Sequence, residues 1–515
     1  MYPGAHVATQ PNKPAVVMAE SGDTVTFAEL ESQSVRIARY LHDAGLREGD
    51  HIALVSDNTA RVFEVYWAAL RSGLYITAVN RHLTPAEMAY IIDDCGARAV
   101  ITSAALGDTA TTVSDLVEGV DIRLTFGGTV PGFDDLDDAI VGLSDEPPAD
   151  QPRGADMLYS SGTTGKPKGI EPSLPNRQIE EPGDTMATLA STIWSVDSDT
   201  VYLSPAPLYH AAPLRTAAAV QALGGTVVVM GKFDAERALS YIEKFAVTHS
   251  QWVPTMFVRM LKLPDEVRAK YDLSTLQVAI HAAAPCPVEV KRAMIEWWGP
   301  ILVEYYSSTE LAGLTSITSA EWLRKPGSVG QDGFLGNVRI CGPDGQVLPP
   351  GEIGDVYFER DVMPFAYHND PAKTKSAQHP QHENWSTTGD VGYLDADRYL
   401  FLTDRATFMI ISGGVNIYPQ EIENVLASHP SILDVAVIGV PDPEMGEQVL
   451  AVVQLLPGVE SSDELAESIL IVARDSLARY KVPRHVVFTS KLPRTPTGKL
   501  VKGELRGKYD NVVLG

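Results

Sequence analysis

YSSGTTGKPKG (residues 159–169) places three glycines, four Ser/Thr hydroxyls and two lysines within eleven residues. Glycine lets a main chain approach a ligand closely, and hydroxyl and ammonium groups supply donors and charge. Phosphate is the natural guest of such a loop. The spacing is not that of a Walker loop, because proline follows Lys166 where GxxxxGK would continue into Ser or Thr, so an ordinary P-loop ATPase is disfavoured. A merely flexible Gly/Ser/Thr loop has the same composition, so the reading depends on what surrounds the segment.

The surroundings are those of a large globular chain. Its 515 residues exceed the usual single-domain size several times over, and 44% hydrophobic with 21% charged residues excludes a disordered or collagen-like polymer. A net charge of −25 repels nucleic acid and anionic membranes, and an ATP-like polyanion would need a local positive site on such a protein. Cys95, Cys286 and Cys341 are odd in number and far apart, which argues against a disulfide framework or a zinc site and fits a reducing compartment. The start, MYPGAHVATQ, lacks a basic segment followed by an apolar one and does not read as a signal peptide. The longest largely apolar stretch, 217–230, is interrupted by Gln221 and a glycine pair and is too short to span a bilayer. The expectation is a cytoplasmic protein with neither nucleic acid nor integral membrane contact.

Alternation of β-branched runs with helical spacing predicts an α/β fold. Strands are expected at 51–56, 99–102, 226–230 and 278–280, with a helix over 59–72 carrying Val62, Val65, Ala68 and Leu70 on one face. From about Val338, RICGPDGQVLPPGEIGDVYFER reads as a hairpin-rich β segment with a turn at Pro343, Asp344 and Gly345. The acidic, Pro-containing 144–153 reads as a loop. After Arg405 a smaller unit is expected, giving an N-terminal domain of 1–405 and a C-terminal domain of 406–515. In the latter, Pro419 opens a helix, DVAVIGV, VLAVVQL and HVVFTS form three short strands, and Ser461 with Glu464 has the capping-box spacing of a second helix.

Further segments extend the pattern of the glycine-rich loop: PLYHAAPL (207–214), HAAAP (281–285), YYSSTE (305–310), STTGDVGYLD (386–395), DRATFMIISGGVNIYPQEIE (404–423) and LPRTPTGKLVKGELR (492–506). In this order and spacing they resemble the adenylate-forming superfamily of acyl-CoA synthetases, peptide-synthetase adenylation domains and beetle luciferases.

The resemblance implies roles residue by residue. Ser160, Ser161, Gly162, Thr163, Thr164, Gly165 and Lys168 would hold ATP phosphates. Thr309 would contact phosphate, and Glu310, with Thr164, would bind Mg2+. Ala283, Ala284, Pro285, Tyr305, Tyr306, Ser307 and Ser308 resemble the adenine pocket, where small residues leave room for a base and an aromatic ring stacks on it. Asp390 resembles the residue that accepts both ribose hydroxyls, and Arg405 adds contacts to ribose or phosphate. Lys499 resembles the catalytic lysine that bridges the incoming carboxylate and the α-phosphate. Gly413 and Gly414 resemble the lining of the thiol tunnel, and His210 the histidine beside the acyl site, although a packed histidine orienting a loop fits nearly as well.

Two departures stand out. Thr407 occupies a hinge position where relatives carry Asp or Lys, and EPSLPNRQIEEPGD (171–184) replaces a segment that often contains histidine. The resemblance implies an AMP-forming ligase that activates a fatty or aromatic acid with ATP and passes the acyl group to coenzyme A; a stand-alone enzyme loading a carrier-protein phosphopantetheine is the alternative. Trp252, Met256, Phe257 and Tyr209 are candidates for an acyl pocket, though such residues at these spacings are more often core.

Overall fold

The computed structural model describes residues 1–160, 167–405, 408–412, 415–442, 445–494 and 500–509, with only the main chain at Asp404, Arg405 and Asn416. Its fold is the expected mixture of helices and sheets, and its two largest sheets are mainly parallel. Strands His51–Val55, Tyr75–Val79, Ala97–Ser103 and Ile122–Phe126 form one parallel sheet, edged by Asp134–Asp135 and Ala155–Asp156. Tyr75–Val79 is buried at every position, which is why YITAV is apolar throughout rather than alternating. The helix predicted over 59–72 is Arg61–Leu70.

A second, larger sheet has Val201–Ser204, Thr226–Val229, His249–Trp252, Val278–His281 and Leu302–Ser307 in parallel, followed by the antiparallel Leu314–Thr318 and Gln331–Leu335. Pro14–Met18 pairs with Thr226–Val229, so the start of the chain closes the far side of this sheet. HSQW at His249–Trp252 carries no apolar run, yet all four residues are buried. Hydrogen bonds satisfy its polar groups: His249 Nε2 lies 2.8 Å from the Trp194 carbonyl, and Tyr202 Oη donates to Gln251 Oε1 at 3.0 Å.

The β-rich segment after Val338 is present as an antiparallel sheet of Asn337–Cys341, Gly354–Glu359, Asp390–Leu394 and Leu400–Arg405. Beyond it, Ile432–Asp442 and Gly446–Leu455 form a long hairpin joined by Ile410–Ser412, Val415–Ile417 and His485–Thr489. This part of the chain is richer than two helices on three short strands. Its two central strands are long, and helices Pro419–Leu426, Asp463–Ser476 and Lys502–Tyr509 accompany them. The second of these is capped by Ser462, whose hydroxyl accepts from the Leu465 amide, and not by Ser461. Among the described residues, one set of hydrophobic clusters ends by Leu402 and another begins at Ile410. Lys262 Nζ donates across them to the Ile432 carbonyl at 3.1 Å. Among the described residues no helix is long and apolar enough to cross a membrane.

Trp252, Met256 and Phe257 belong to the core of the larger sheet. Beside them lies a buried charged cluster: Lys291 Nζ donates to Glu304 Oε2 at 2.5 Å, and His281 is fully buried next to the pair. Burial pushes the Glu304 carboxyl up despite Lys291 and pulls His281 far down, so this histidine stays neutral. Replacing Lys291 with Met leaves Glu304 without its cation and should cost about 3–5 kcal/mol. Urea unfolding followed by tryptophan fluorescence reads the loss, since Trp322 lies against Lys291. The deficit should shrink as pH falls, because a carboxyl whose folded pKa is raised destabilises most when ionised.

Candidate active site

The parallel strands of the larger sheet deliver their carboxyl ends to one edge, the usual location of ligand sites in α/β folds. HAAAP leaves Val278–His281 there, and YYSSTE leaves the adjacent Leu302–Ser307. Strand alternation sends the two tyrosines to opposite faces. Tyr306 Oη donates to Asp390 Oδ2 at 2.7 Å, and Thr388 Oγ1 donates to the same oxygen at 2.9 Å. Tyr305 instead packs beside Trp194, and its hydroxyl accepts from Gln251 Nε2 at 2.9 Å. Burial pushes its phenol up to about 12. The tyrosines that sequence groups together therefore do not share one pocket wall.

After Ser307 the chain turns a tight corner before Leu314–Thr318. Leu311 has φ of 49° in this corner, and Ala283 in HAAAP has φ of 75°. Left-handed backbone at a non-glycine residue is costly and persists only where surroundings impose it. Here the surroundings are explicit. Arg215 Nη1 donates to the Thr309 carbonyl at 3.0 Å, and Arg360 Nη1 donates to the Leu311 carbonyl at 3.0 Å. Ser307 Oγ donates to the Gly313 carbonyl at 2.7 Å. Gly313 itself must lack a side chain, because a Cβ would lie 1.9 Å from the Phe358 ring. Tyr367 Oη donates to Glu310 Oε1 at 3.0 Å, fixing the carboxylate.

The glycine-rich segment enters and leaves through a hairpin, Leu158–Ser160 against Lys168–Glu171, with Ser160 opposite Lys168. Ala366–Tyr367 continues that sheet, so the hairpin and the partner of Glu310 are adjacent strands. Lys168 Nζ lies 5.9 Å from the Tyr367 ring centre and 3.5 Å from Asp370 Oδ2. At Gly169 a Cβ would lie 2.5 Å from the end of the Met157 side chain, so a larger residue there would displace that methionine. A cleft of about 440 Å3 opens beside this sheet, lined by Glu171, Tyr367, His368 and Lys375 among others. His210 stands just before helix Ala211–Ala222, its ring 4.4 Å from that of Tyr209. Asp390 is opposite Arg405 in the strand register.

Ser161, Gly162, Thr163, Thr164, Gly165, Thr407, Gly413, Gly414 and Lys499 lie outside the described residues. Four residues that sequence reading did not single out, Asp156, Arg215, Arg360 and Tyr367, hold the corner and the hairpin. One signal was available: Arg215 stands alone in AAPLRTAAAV, and a cation in a buried helix needs a partner.

The family described as AMP-binding enzyme matches residues 4–365, and the family described as AMP-binding enzyme C-terminal domain matches 421–499. The chain belongs to the AMP-binding enzymes. It is 35% identical over 504 residues to a feruloyl-CoA synthase from Amycolatopsis, covering 96% of each chain. It is 32% identical over 514 residues to a long-chain-fatty-acid–CoA ligase from Mycobacterium tuberculosis, covering 98% of this chain and 97% of that one. Among solved structures it resembles the amide bond synthetase McbA from Marinactinospora thermotolerans, with TM-score 0.84 and 27% identity over 98% of this chain and 99% of that one.

In this AMP-binding enzyme the Tyr306–Asp390 hydrogen bond gives a direct test of the nucleotide site. Tyr306→Phe removes a bond worth about 1 kcal/mol and should weaken AMP binding about fivefold in isothermal titration. An unchanged affinity would show that AMP binding does not depend on this hydrogen bond.

Proposed function

We propose that this chain is an AMP-forming acid–thiol ligase. It makes an acyl adenylate from ATP and a carboxylic acid, then transfers the acyl group to coenzyme A. The observation that carries this reading is nearly end-to-end similarity to two acyl-CoA ligases, together with a fixed Glu310 corner and a Tyr306-held Asp390 at one sheet edge.

Ser160 and Lys168, on the hairpin strands, bind the triphosphate together with Ser161, Gly162, Thr163, Thr164 and Gly165, and Thr309 adds a hydroxyl. Asp390 and Arg405 take the ribose. Ala283, Ala284, Pro285, Tyr306, Ser307 and Ser308 border the base, Tyr305 backs them from the opposite face of the strand through Gln251, and His210 serves the acyl side. Glu310 offers a hard oxygen donor at a corner whose neighbouring carbonyls are already taken by arginines, a donor chemistry that suits Mg2+ shared with phosphate oxygens and Thr164. When bound, that ion spreads the charge that otherwise keeps a carboxylate away from a polyphosphate. Lys499 brings an ammonium to the same meeting point. The unit from residue 406 onward carries Lys499 in during adenylation and then turns to present Gly413 and Gly414 to the thiol, which shields an easily hydrolysed intermediate from water. The acid is an aromatic or fatty one.

The test is a two-stage assay with a panel of aromatic and fatty acids. Acid-dependent exchange of labelled pyrophosphate into ATP is followed first, and AMP release with coenzyme A, a carrier protein or an amine second. Lys499→Ala should cut exchange by at least about a hundredfold while thioester formation from supplied acyl adenylate persists. Gly414→Leu should do the reverse. Loss of both steps in either variant would contradict the two-state division of labour. Chelation of Mg2+ should stop exchange in the unmodified protein.

A further inference from the structure

The Arg215 guanidinium is almost wholly buried, and each of its nitrogens has an assigned partner. Nε and Nη2 meet Asp156 Oδ2 at 2.8 and 2.6 Å, and Nη1 donates to the Thr309 carbonyl at 3.0 Å. The other oxygen of Asp156 accepts from Tyr66 Oη at 3.3 Å. Three of the five guanidinium N–H donors are thus committed, two to Asp156 and one to the Thr309 carbonyl, so this cation is tied to the protein on both sides.

Its partners are distant in sequence and belong to different parts of the site. Asp156 ends the strand Ala155–Asp156, two residues before the hairpin strand Leu158–Ser160 that leads into the glycine-rich loop. Thr309 and Glu310 lie in the corner after Leu302–Ser307. Arg215 itself is on Ala211–Ala222, the helix that begins immediately after His210. One cation thus fixes the mutual register of three segments that would bind phosphate, metal and acid.

Resting on the functional reading above, we propose that Arg215, anchored by Asp156, is a positioning residue that sets the Thr309–Glu310 corner for the metal-bound triphosphate. A planar guanidinium is suited to this, because its fork fixes direction as well as distance, whereas a lysine ammonium fixes only charge. The left-handed Leu311 next in the chain makes the corner dependent on outside restraint. Arg360 supplies a second restraint on the far side, and Tyr367 holds the carboxylate that would face the metal. Supporting groups of this kind around a metal ligand typically govern metal affinity.

The test measures equilibrium binding, so it needs neither acid nor thiol. ATP affinity is titrated with and without Mg2+, and AMP affinity is measured in parallel. In the unmodified protein Mg2+ should tighten ATP binding. Arg215→Met should erode that tightening about tenfold while AMP affinity stays within about twofold, because AMP carries no metal-bridged phosphates. Arg215→Lys should recover part of the effect. Asp156→Asn should mimic Arg215→Met, and the double variant should add little to either single one. Tyr367→Phe should shift in the same direction by less. If Arg215→Met does not fold, Asp156→Asn and Tyr367→Phe carry the same measurement.

An unchanged Mg2+ effect in folded variants would overturn the proposal. So would a parallel loss of AMP and Mg–ATP binding with a fall in unfolding temperature, since that is the signature of a merely structural ion pair. Failure of the unmodified protein to bind ATP at all would instead sink the nucleotide reading, and failure to activate any acid would leave the binding result standing.

Discussion

A guanidinium taken out of water costs several kcal/mol unless it is paired and hydrogen-bonded, and the Arg215 site supplies a carboxylate and a main-chain carbonyl. Asp156 belongs to the smaller parallel sheet and Thr309 follows a strand of the larger one. The ion pair therefore joins the two sheets at the edge where the glycine-rich hairpin, the YYSSTE corner and the His210 helix converge. Small displacement of any one of these would leave a buried charge short of a partner. That penalty makes their relative placement a property of the fold rather than of a bound ligand.

A second buried ion pair does comparable work on the strand that leads into the corner. Lys291 and Glu304 lie beneath HAAAP, and neutral His281 fills the space beside them. Glu304 directly precedes Tyr305 and Tyr306, so anchoring it fixes the strand position from which those rings diverge. Tyr306 then reaches Asp390 across to the β-rich segment, while Tyr305 joins Gln251 and Trp194. The same alternation that makes a sheet two-sided separates the ring that meets Asp390 from the ring that meets Gln251.

The acidity of the chain bears on this arrangement. With a net charge of −25, long-range electrostatics oppose the approach of a polyphosphate. In the proposed reading, close-range features compensate: the hydroxyl- and glycine-rich segment, Lys168 beside Tyr367, and an acidic corner that would take a divalent cation. Arg215 and Arg360 hold the corner through its Thr309 and Leu311 carbonyls.

Much of this was legible in the sequence. YSSGTTGKPKG, HAAAP, YYSSTE and TTGD are local strings that carry the family resemblance, and a β-branched run such as HIALV (51–55) reads as a strand. These are short-range facts, set by composition and spacing along the chain. The polar strand HSQW, the return of Pro14–Met18 to the larger sheet, the opposite facing of Tyr305 and Tyr306, and the Asp156–Arg215–Thr309 connection were decided only by tertiary structure. Each depends on a partner dozens to hundreds of residues away, and the desolvation energy that makes such a pairing necessary arises only once the chain has folded around it.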